Sequence, residues 1–365
     1  MSPHYSMVAV NLLLCGAIGV GLYIWQKKLH RKINLFALLI LLSVLPLLSL
    51  LRPGPYESGD MMLHATRAQP FFDSIMQFHQ LPRWAGELNL GYGDTYFEFL
   101  YITPYIFTTI FHFLGMSFID SVKLVLAFPY VLSGVFMYLW IRDEFGEKAG
   151  FISAIFYLFA PYHLVDMHFR ATVAESASFL FLPLLCWLSS RYLRALQGKF
   201  LIFFSLMYGL FLLTHAVIFF TFTPFLLLYI LLVWYSRKTR TIRELVFIGL
   251  AMVFSMILTA FYWLPVLAET QYIYQSVMSG IEFHPLWFYL ISPWMFGFLF
   301  QGHHGELSFI VGYTQLLVIG IALYFLRKRI FKTVEKRFVL LCLAFASLFF
   351  IMMQSFTLPL WLHLP

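Results

Sequence analysis

The chain has 365 residues, is 61% hydrophobic and only 11% charged, and carries a net charge of +7. A soluble domain is about 25% charged, so water cannot solvate a surface of this kind and lipid must cover most of it. The basic residues lie in short clusters between apolar runs and not in one patch, which fits membrane topology and argues against a nucleic-acid partner.

In chain order, apolar runs of spanning length are predicted near 6–25, 33–51, 120–141, 149–165, 176–190, 200–216, 218–235, 245–264, 309–326 and 338–355. Each approaches the roughly 20 residues that a bilayer requires. No cleavable signal is expected, because Met1 to Ser6 lacks a basic stretch and no small-residue cleavage site follows. The run 99–117 is interrupted by Thr103, Pro104, Thr108, Thr109 and His112. If it does not span, 19 of the 24 Lys and Arg fall in cytoplasmic loops, whereas counting it as a span moves every later basic cluster outside. It therefore reads as an interfacial or re-entrant helix, with both chain termini outside. On that topology twelve of the 17 acids lie outside, Asp120 at the outer end of its span and the rest on two long loops, 52–119 and 265–308, and a shorter one near 161–175. The expected fold is all-α: a polytopic transmembrane helical bundle of about ten spans forming a single domain, 1–365, with interfacial helices in the first outer loop.

Four constellations on the outer side carry chemistry. The first, Ser58 to Arg67, follows a Pro- and Gly-rich break at Arg52–Pro55. Ser58 or Asp60 can cap a new helix there. Asp60, His64 and Arg67 then fall at i, i+4 and i+7 on one face, bringing a carboxylate, an imidazole and a guanidinium to the bilayer surface. Asp suits a general base, and Arg suits bidentate phosphate binding. The second runs from Pro82-Arg83-Trp84 through Gly91 and Gly93 to Glu98; a structural turn is the simpler reading of its glycines. The third spans Tyr162 to Glu175, where Asp166 and Arg170 are spaced to pair and His163 shares a face with Asp166. The fourth is the loop 265–308, with Glu269, Tyr272, Tyr274, Glu282, His284, His303, His304 and Glu306. Adjacent histidines do not share a helix face, so neither a metal site nor a cofactor is expected. Cys15, Cys186 and Cys342 all sit in apolar runs, against a disulfide or metal framework. His215 is expected to cap a helix or bond locally.

The segment Leu158 to Asp166, with Arg170, Ala174-Glu175 and Leu182 to Leu185, resembles a bacterial membrane family labelled "6-pyruvoyl-tetrahydropterin synthase-related domain, membrane protein". Further matches are Gly59-Asp60 with His64 and Arg67, Arg83-Trp84, Asn89 to Gly93, Leu213 to His215, and Tyr262 to Pro265 with Glu269. The layout more distantly resembles the GT-C glycosyltransferases, whose first outer loop carries an acid just after a span. That resemblance implies transfer of a sugar from a polyprenyl-phosphate-linked donor to a glycan, lipid or protein acceptor at the outer face of the bacterial inner membrane. It implies Asp60 as the catalytic acid–base residue, and His64, Arg67, His163, Asp166, Arg170, Glu175 and Glu269 as residues that bind substrate or lipid phosphate. Two departures stand out: an extra first span at 6–25, and an end at Pro365 where relatives continue, which reads as a short form or a fragment. The alternatives are a carrier or flippase for lipid-linked glycans, which the charge-poor spans disfavour, and a non-catalytic membrane assembly protein.

Overall fold

The computed structural model describes residues 3–28, 30–272, 283–290 and 310–361. Among them the secondary structure is helical, apart from one isolated bridge between Ala85 and Asp94. In order the helices are α1 (Pro3–Tyr23), α2 (Leu35–Val44), α3 (Met61–Phe78), α4 (Tyr96–Phe99), α5 (Thr103–Phe113), α6 (Phe118–Phe145), α7 (Glu147–Leu158), α8 (Pro161–Val165) and α9 (Val173–Ala195). There follow α10 (Gly198–Thr214), α11 (Ala216–Tyr235), α12 (Ile242–Leu258), α13 (Ala260–Glu269), α14 (Leu286–Leu290), α15 (Tyr313–Arg327), α16 (Thr333–Met352) and α17 (Leu358–Trp361). The sequence constellation at Glu282, His303, His304 and Glu306, like Tyr274, lies outside the described residues.

Among the described residues, α6, α9 and α11 are long and apolar enough to cross a membrane. Three bent pairs bring the number to six if each is one span: Glu147–Leu158 with Pro161–Arg170, Ile242–Leu258 with Ala260–Tyr272, and Thr333–Met352 with Ser355–Trp361. Shorter apolar helices at Leu35–Leu51, Gly198–Thr214 and Tyr313–Arg327 fall on other expected spans. The breaks have local causes. Pro161 cannot donate to a helix, and it disfavours helical backbone at Ala160 before it. Thr259, at the 65° bend between α12 and α13, turns its hydroxyl back to the Ser255 carbonyl at 2.9 Å, a bond that bends helices. Predicted spans 149–165 and 245–264 are thus each two rods.

The doubtful run 99–117 contains α5, only 11 residues long. At 1.5 Å per residue it extends about 16 Å, half the hydrocarbon thickness. Its Phe107, Ile110, Phe113 and Leu114 are exposed, while Thr103, Tyr105 and Thr108 face inward. By contrast α6 has 28 residues and starts from a capping pair, with the Ser117 hydroxyl accepting from the Asp120 amide at 3.0 Å.

The bundle core lies where α6 packs along α7 and α9. Small residues allow the close approach. A Cβ on Gly134 would lie 2.6 Å from Leu158, and one on Gly150 would lie 2.7 Å from the Tyr138 carbonyl. On α12, Val246, Leu250, Val253, Phe254 and Ile257 are exposed, a stripe suited to lipid. The parallel helices α6, α9 and α11 begin near Asp120, Glu175 and His215 and finish near Glu144, Arg194 and Arg237. The first is called the Asp60 end and the second the Arg237 end.

At the Arg237 end the acids Asp143, Glu144 and Glu244 are held by arginines. Asp143 meets Arg142 at 3.1 Å and Arg191 at 2.7 Å, and it accepts from the Trp187 indole at 2.9 Å. Glu144 pairs with Arg194 and accepts from Ser190 at 2.5 Å and Tyr229 at 3.0 Å. Arg237 pairs with Glu244.

Candidate functional site

The chain leaves α2 through a short 3-10 turn, Pro46–Leu51, and a Pro- and Gly-rich loop before α3. Asp60 occupies the N-cap position of α3, yet its side chain makes no capping bond. The Ser58 hydroxyl accepts from the Met61 amide instead, at 3.4 Å. The carboxylate at a helix start is therefore left for another partner.

Asp60 is held through its backbone. The amides of Gly59 and Asp60 donate to the carbonyls of Phe169 and Arg170, each at 2.8 Å, and the Tyr56 hydroxyl donates to the Met167 carbonyl at 2.5 Å. Those carbonyls belong to a π-helical turn, Asp166–Arg170, which ends at Ala171 in the left-handed region (φ 55°). Single π turns inside helical segments recur at functional sites.

The same turn aims Arg170 into a closed ring. Its Nη1 donates to Asp166 Oδ1 at 2.8 Å, to Glu175 Oε2 at 2.8 Å and to the Tyr162 hydroxyl at 2.9 Å. Its Nη2 donates to Glu175 Oε1 at 2.9 Å, completing a fork on that carboxylate. The Tyr162 hydroxyl donates to Glu175 Oε2 at 2.6 Å. Arg170 and Asp166 thus pair as their spacing predicts, but the ring leaves the Arg170 guanidinium little capacity for a phosphate.

Asp60 stands beside this ring. Partial burial raises its pKa above the usual aspartate range, Arg170 and Arg67 pull it back down, and Glu175 pushes it up. Arg67 differs from Arg170. Its guanidinium lies over the Tyr96 ring, 3.6 Å from the centroid. Among the described residues it forms no ion pair with a carboxylate.

Beneath Arg67 runs a chain of aromatic polar groups. His64 Nδ1 is 2.9 Å from the Tyr105 hydroxyl, which is 3.2 Å from the Tyr96 hydroxyl. Tyr101 stacks on Tyr105 and on His215. His64 is only 1% exposed. Burial, and secondly Arg67, push its pKa down to about 3. The enclosed imidazole packs against the tyrosines that lie beneath Arg67. Its Nε2 has no partner among the described residues. His215 caps α11, accepting from the Ile218 amide at 3.3 Å, as expected.

The remaining expected residues lie apart. His163 is buried among Tyr130, Tyr157 and Phe179, and its Nδ1 donates to the Tyr157 carbonyl at 3.2 Å. Glu269 lies near Glu98, a buried carboxylate 3.4 Å from Arg83. Burial raises the pKa of Glu98, Arg83 lowers it, and Glu269 raises it further. The Gly91–Gly93 loop is structural. Gly93 has φ 82°, and a Cβ there would lie 2.2 Å from the Trp84 ring. Among the described residues no three His, Cys, Asp or Glu side chains gather as metal ligands.

Sequence reasoning did not single out Tyr96, Tyr101 or Tyr105 by position, and it placed Tyr162 only at the edge of the third constellation. They come from separate segments, and no spacing rule joins them. The one available signal is the density of tyrosine in 92–105.

Residues 102–263 match the model of a family described as dolichyl-phosphate-mannose-protein mannosyltransferase. The match supports the resemblance to GT-C-type membrane glycosyltransferases. It covers Asp166, Arg170, Glu175, His215 and Tyr105, while Asp60 and Arg67 precede it. No curated protein and no solved structure matches the chain.

Proposed function

We propose that the chain is a GT-C-type glycosyltransferase that moves a sugar from a polyprenyl-phosphate-linked donor to an acceptor hydroxyl at the Asp60 end. On this reading that end faces away from the cytoplasm across a bacterial inner membrane, with the N-terminus on the same side. The family match makes a mannosyl donor the first to try. The motif resemblances from Gly59-Asp60 to Glu269 further support grouping the chain with the membrane family labelled as pterin-synthase-related.

The observation that carries the reading is a carboxylate that declines its own helix cap and stands between two arginines of different availability. Asp60 takes the proton of the acceptor hydroxyl as that oxygen bonds to the anomeric carbon of the sugar. The bond from that carbon to the phosphate oxygen breaks, and its electron pair leaves with the lipid phosphate. Arg67, lying over the Tyr96 ring and without a carboxylate partner among the described residues, stabilises that charge. Arg170, already ringed by Asp166 and Glu175, fixes the turn whose carbonyls hold Asp60. It therefore acts as a positioning residue.

The test is transfer of labelled sugar by the full chain reconstituted in vesicles containing polyprenyl-phosphate mannose and membrane-extracted acceptors. Product formation by the wild type and its loss in Asp60→Asn support the reading. Full activity in Asp60→Asn, or movement of unaltered labelled lipid across the vesicle, overturns it.

A further inference from the structure

The Arg237 end contains a cavity of about 610 Å³ between α6, α11 and the start of α16. That is within the size range of small-molecule sites, about 300–1,000 Å³. It lies at the opposite end of α6 and α11 from Asp60, so it is separate from the transfer site.

Its lining is of two kinds. Phe145, Leu232, Val233 and Phe338 offer apolar surface. Arg194, Arg237 and Lys332 line it as well, with the acids Glu144 and Glu335. These charges are not equally available. Glu144 accepts from Ser190, Tyr229 and Arg194, so it belongs to the closed network. Glu335 turns back on its own helix, accepting from the Lys332 amide at 2.9 Å. Arg194 is held by Glu144 and by the Asp143 carbonyl.

What remains is positive. Arg237 uses one terminal nitrogen on Glu244 and keeps its other N–H groups. The Lys332 ammonium has no ion-pair partner among the described residues. Thr333 and Val334 begin the 20-residue helix α16 and line the cavity, and first-turn amides have no partner inside their own helix. An ammonium, a guanidinium edge and two amides therefore meet beside an apolar wall.

We propose that this cavity binds the phosphate headgroup of an anionic membrane lipid. The phosphate lies against Lys332, Arg237 and the first amides of α16, and an acyl chain runs along Phe338 and Leu232. Basic pockets at the ends of spanning helices attract anionic lipid headgroups, since clustered cations pair with phosphate beside apolar surface that takes the tails; here Arg237 is largely buried and Lys332 is exposed. The free phosphate ion shares the polar half of this chemistry but makes no use of the apolar half. The proposal does not depend on the sugar-transfer reading.

The test places the full-length protein in nanodiscs of phosphatidylcholine alone or mixed with phosphatidylglycerol. After transfer to detergent, native mass spectrometry counts the lipid retained. The wild type is expected to retain one phosphatidylglycerol in preference to phosphatidylcholine. Loss of one cation costs about fivefold, so Lys332→Gln should reduce retention about that much. The Lys332 side chain makes no ion pair among the described residues that the change would disturb. Arg237→Lys keeps a charge for Glu244 but removes the guanidinium fork, and should also reduce retention. Lys238→Gln, an exposed neighbour that does not line the cavity, should leave it unchanged. Equal retention in Lys332→Gln and wild type, equal loss in Lys238→Gln, or no preference for the anionic lipid overturns the proposal. Displacement of the lipid by millimolar inorganic phosphate alone also overturns it, because the occupant is then a soluble anion.

Discussion

The two ends of the bundle use similar residue types in opposite ways. At the Arg237 end Asp143, Glu144 and Glu244 are each held by arginine, and tryptophan, tyrosine and serine satisfy further oxygens. At the Asp60 end Asp166 Oδ2, Glu98 Oε1 and His64 Nε2 have no partner among the described residues, and Asp60 leaves its own helix uncapped. Closed pairs anchor helices, whereas buried groups without partners are costly and persist where a ligand completes them. The contrast separates charge that holds the fold from charge kept open for chemistry.

Substitutions can break or sharpen that contrast. The largest effect is expected at Asp60. Asp60→Asn should lower sugar transfer by about 10²–10⁴-fold, the usual reach of a lost general base, while thermal unfolding of the purified protein stays close to wild type. A large fall in the melting midpoint instead would put Asp60 among the anchors.

Next come the two arginines. Arg67→Gln should lower kcat for transfer by about tenfold, the value of one charge-assisted hydrogen bond to the leaving phosphate, with the melting midpoint unchanged. Arg170→Gln should lower both rate and midpoint, because it strands Asp166 and Glu175. If both variants behave alike, the distinction between open and closed arginines fails.

Asp143→Asn reports on the opposite end. Denaturation should show a loss of about 2 kcal/mol from its weakened ion pairs, while steady-state transfer by the folded protein remains unaltered. Rate loss without destabilisation would reverse its assignment.

The smallest effect is in pH. Asp60 must be ionised to accept a proton, and its pKa is raised, chiefly by burial. Activity should therefore rise with pH through a value above the ordinary aspartate pKa of about 4. The sign for stability is opposite. Folding favours the protonated form, so Asp60's contribution is complete below the unfolded pKa and is lost as pH rises through the folded one. Asp60→Asn should flatten that component in pH-dependent melting. His64, pushed down to about 3, stays neutral across this window and adds no limb.

The sequence made the local relations visible and left the distant ones hidden. The i, i+4 spacing of Asp166 and Arg170 showed their pairing, and the Pro–Gly break after the second apolar run marked the start of the helix behind Asp60. The asymmetry of Lys and Arg pointed to a surface position for 99–117, and α5 is indeed too short to cross. The same periodicity put His64 on a face with Asp60 and Arg67 without revealing that Tyr105, 41 residues away, would enclose it. Nor could it show that a π turn would fold Glu175 and Tyr162 around Arg170, because an extra residue in a turn rotates every later side chain. Helical spacing also hid the bend at Thr259, since the apolar pattern runs through it.

The short helix α5 has a consequence for supply. On the proposed function, with Phe107, Ile110, Phe113 and Leu114 turned outward, it lies at headgroup depth beside the tyrosines next to Arg67. A long-chain donor then arrives sideways, travelling in two dimensions within one leaflet and never leaving the oil. The quantity that sets turnover is accordingly how crowded that leaflet is with donor, a number per area. Diluting the membrane with inert lipid should slow the protein even when the amount of donor in the tube is unchanged.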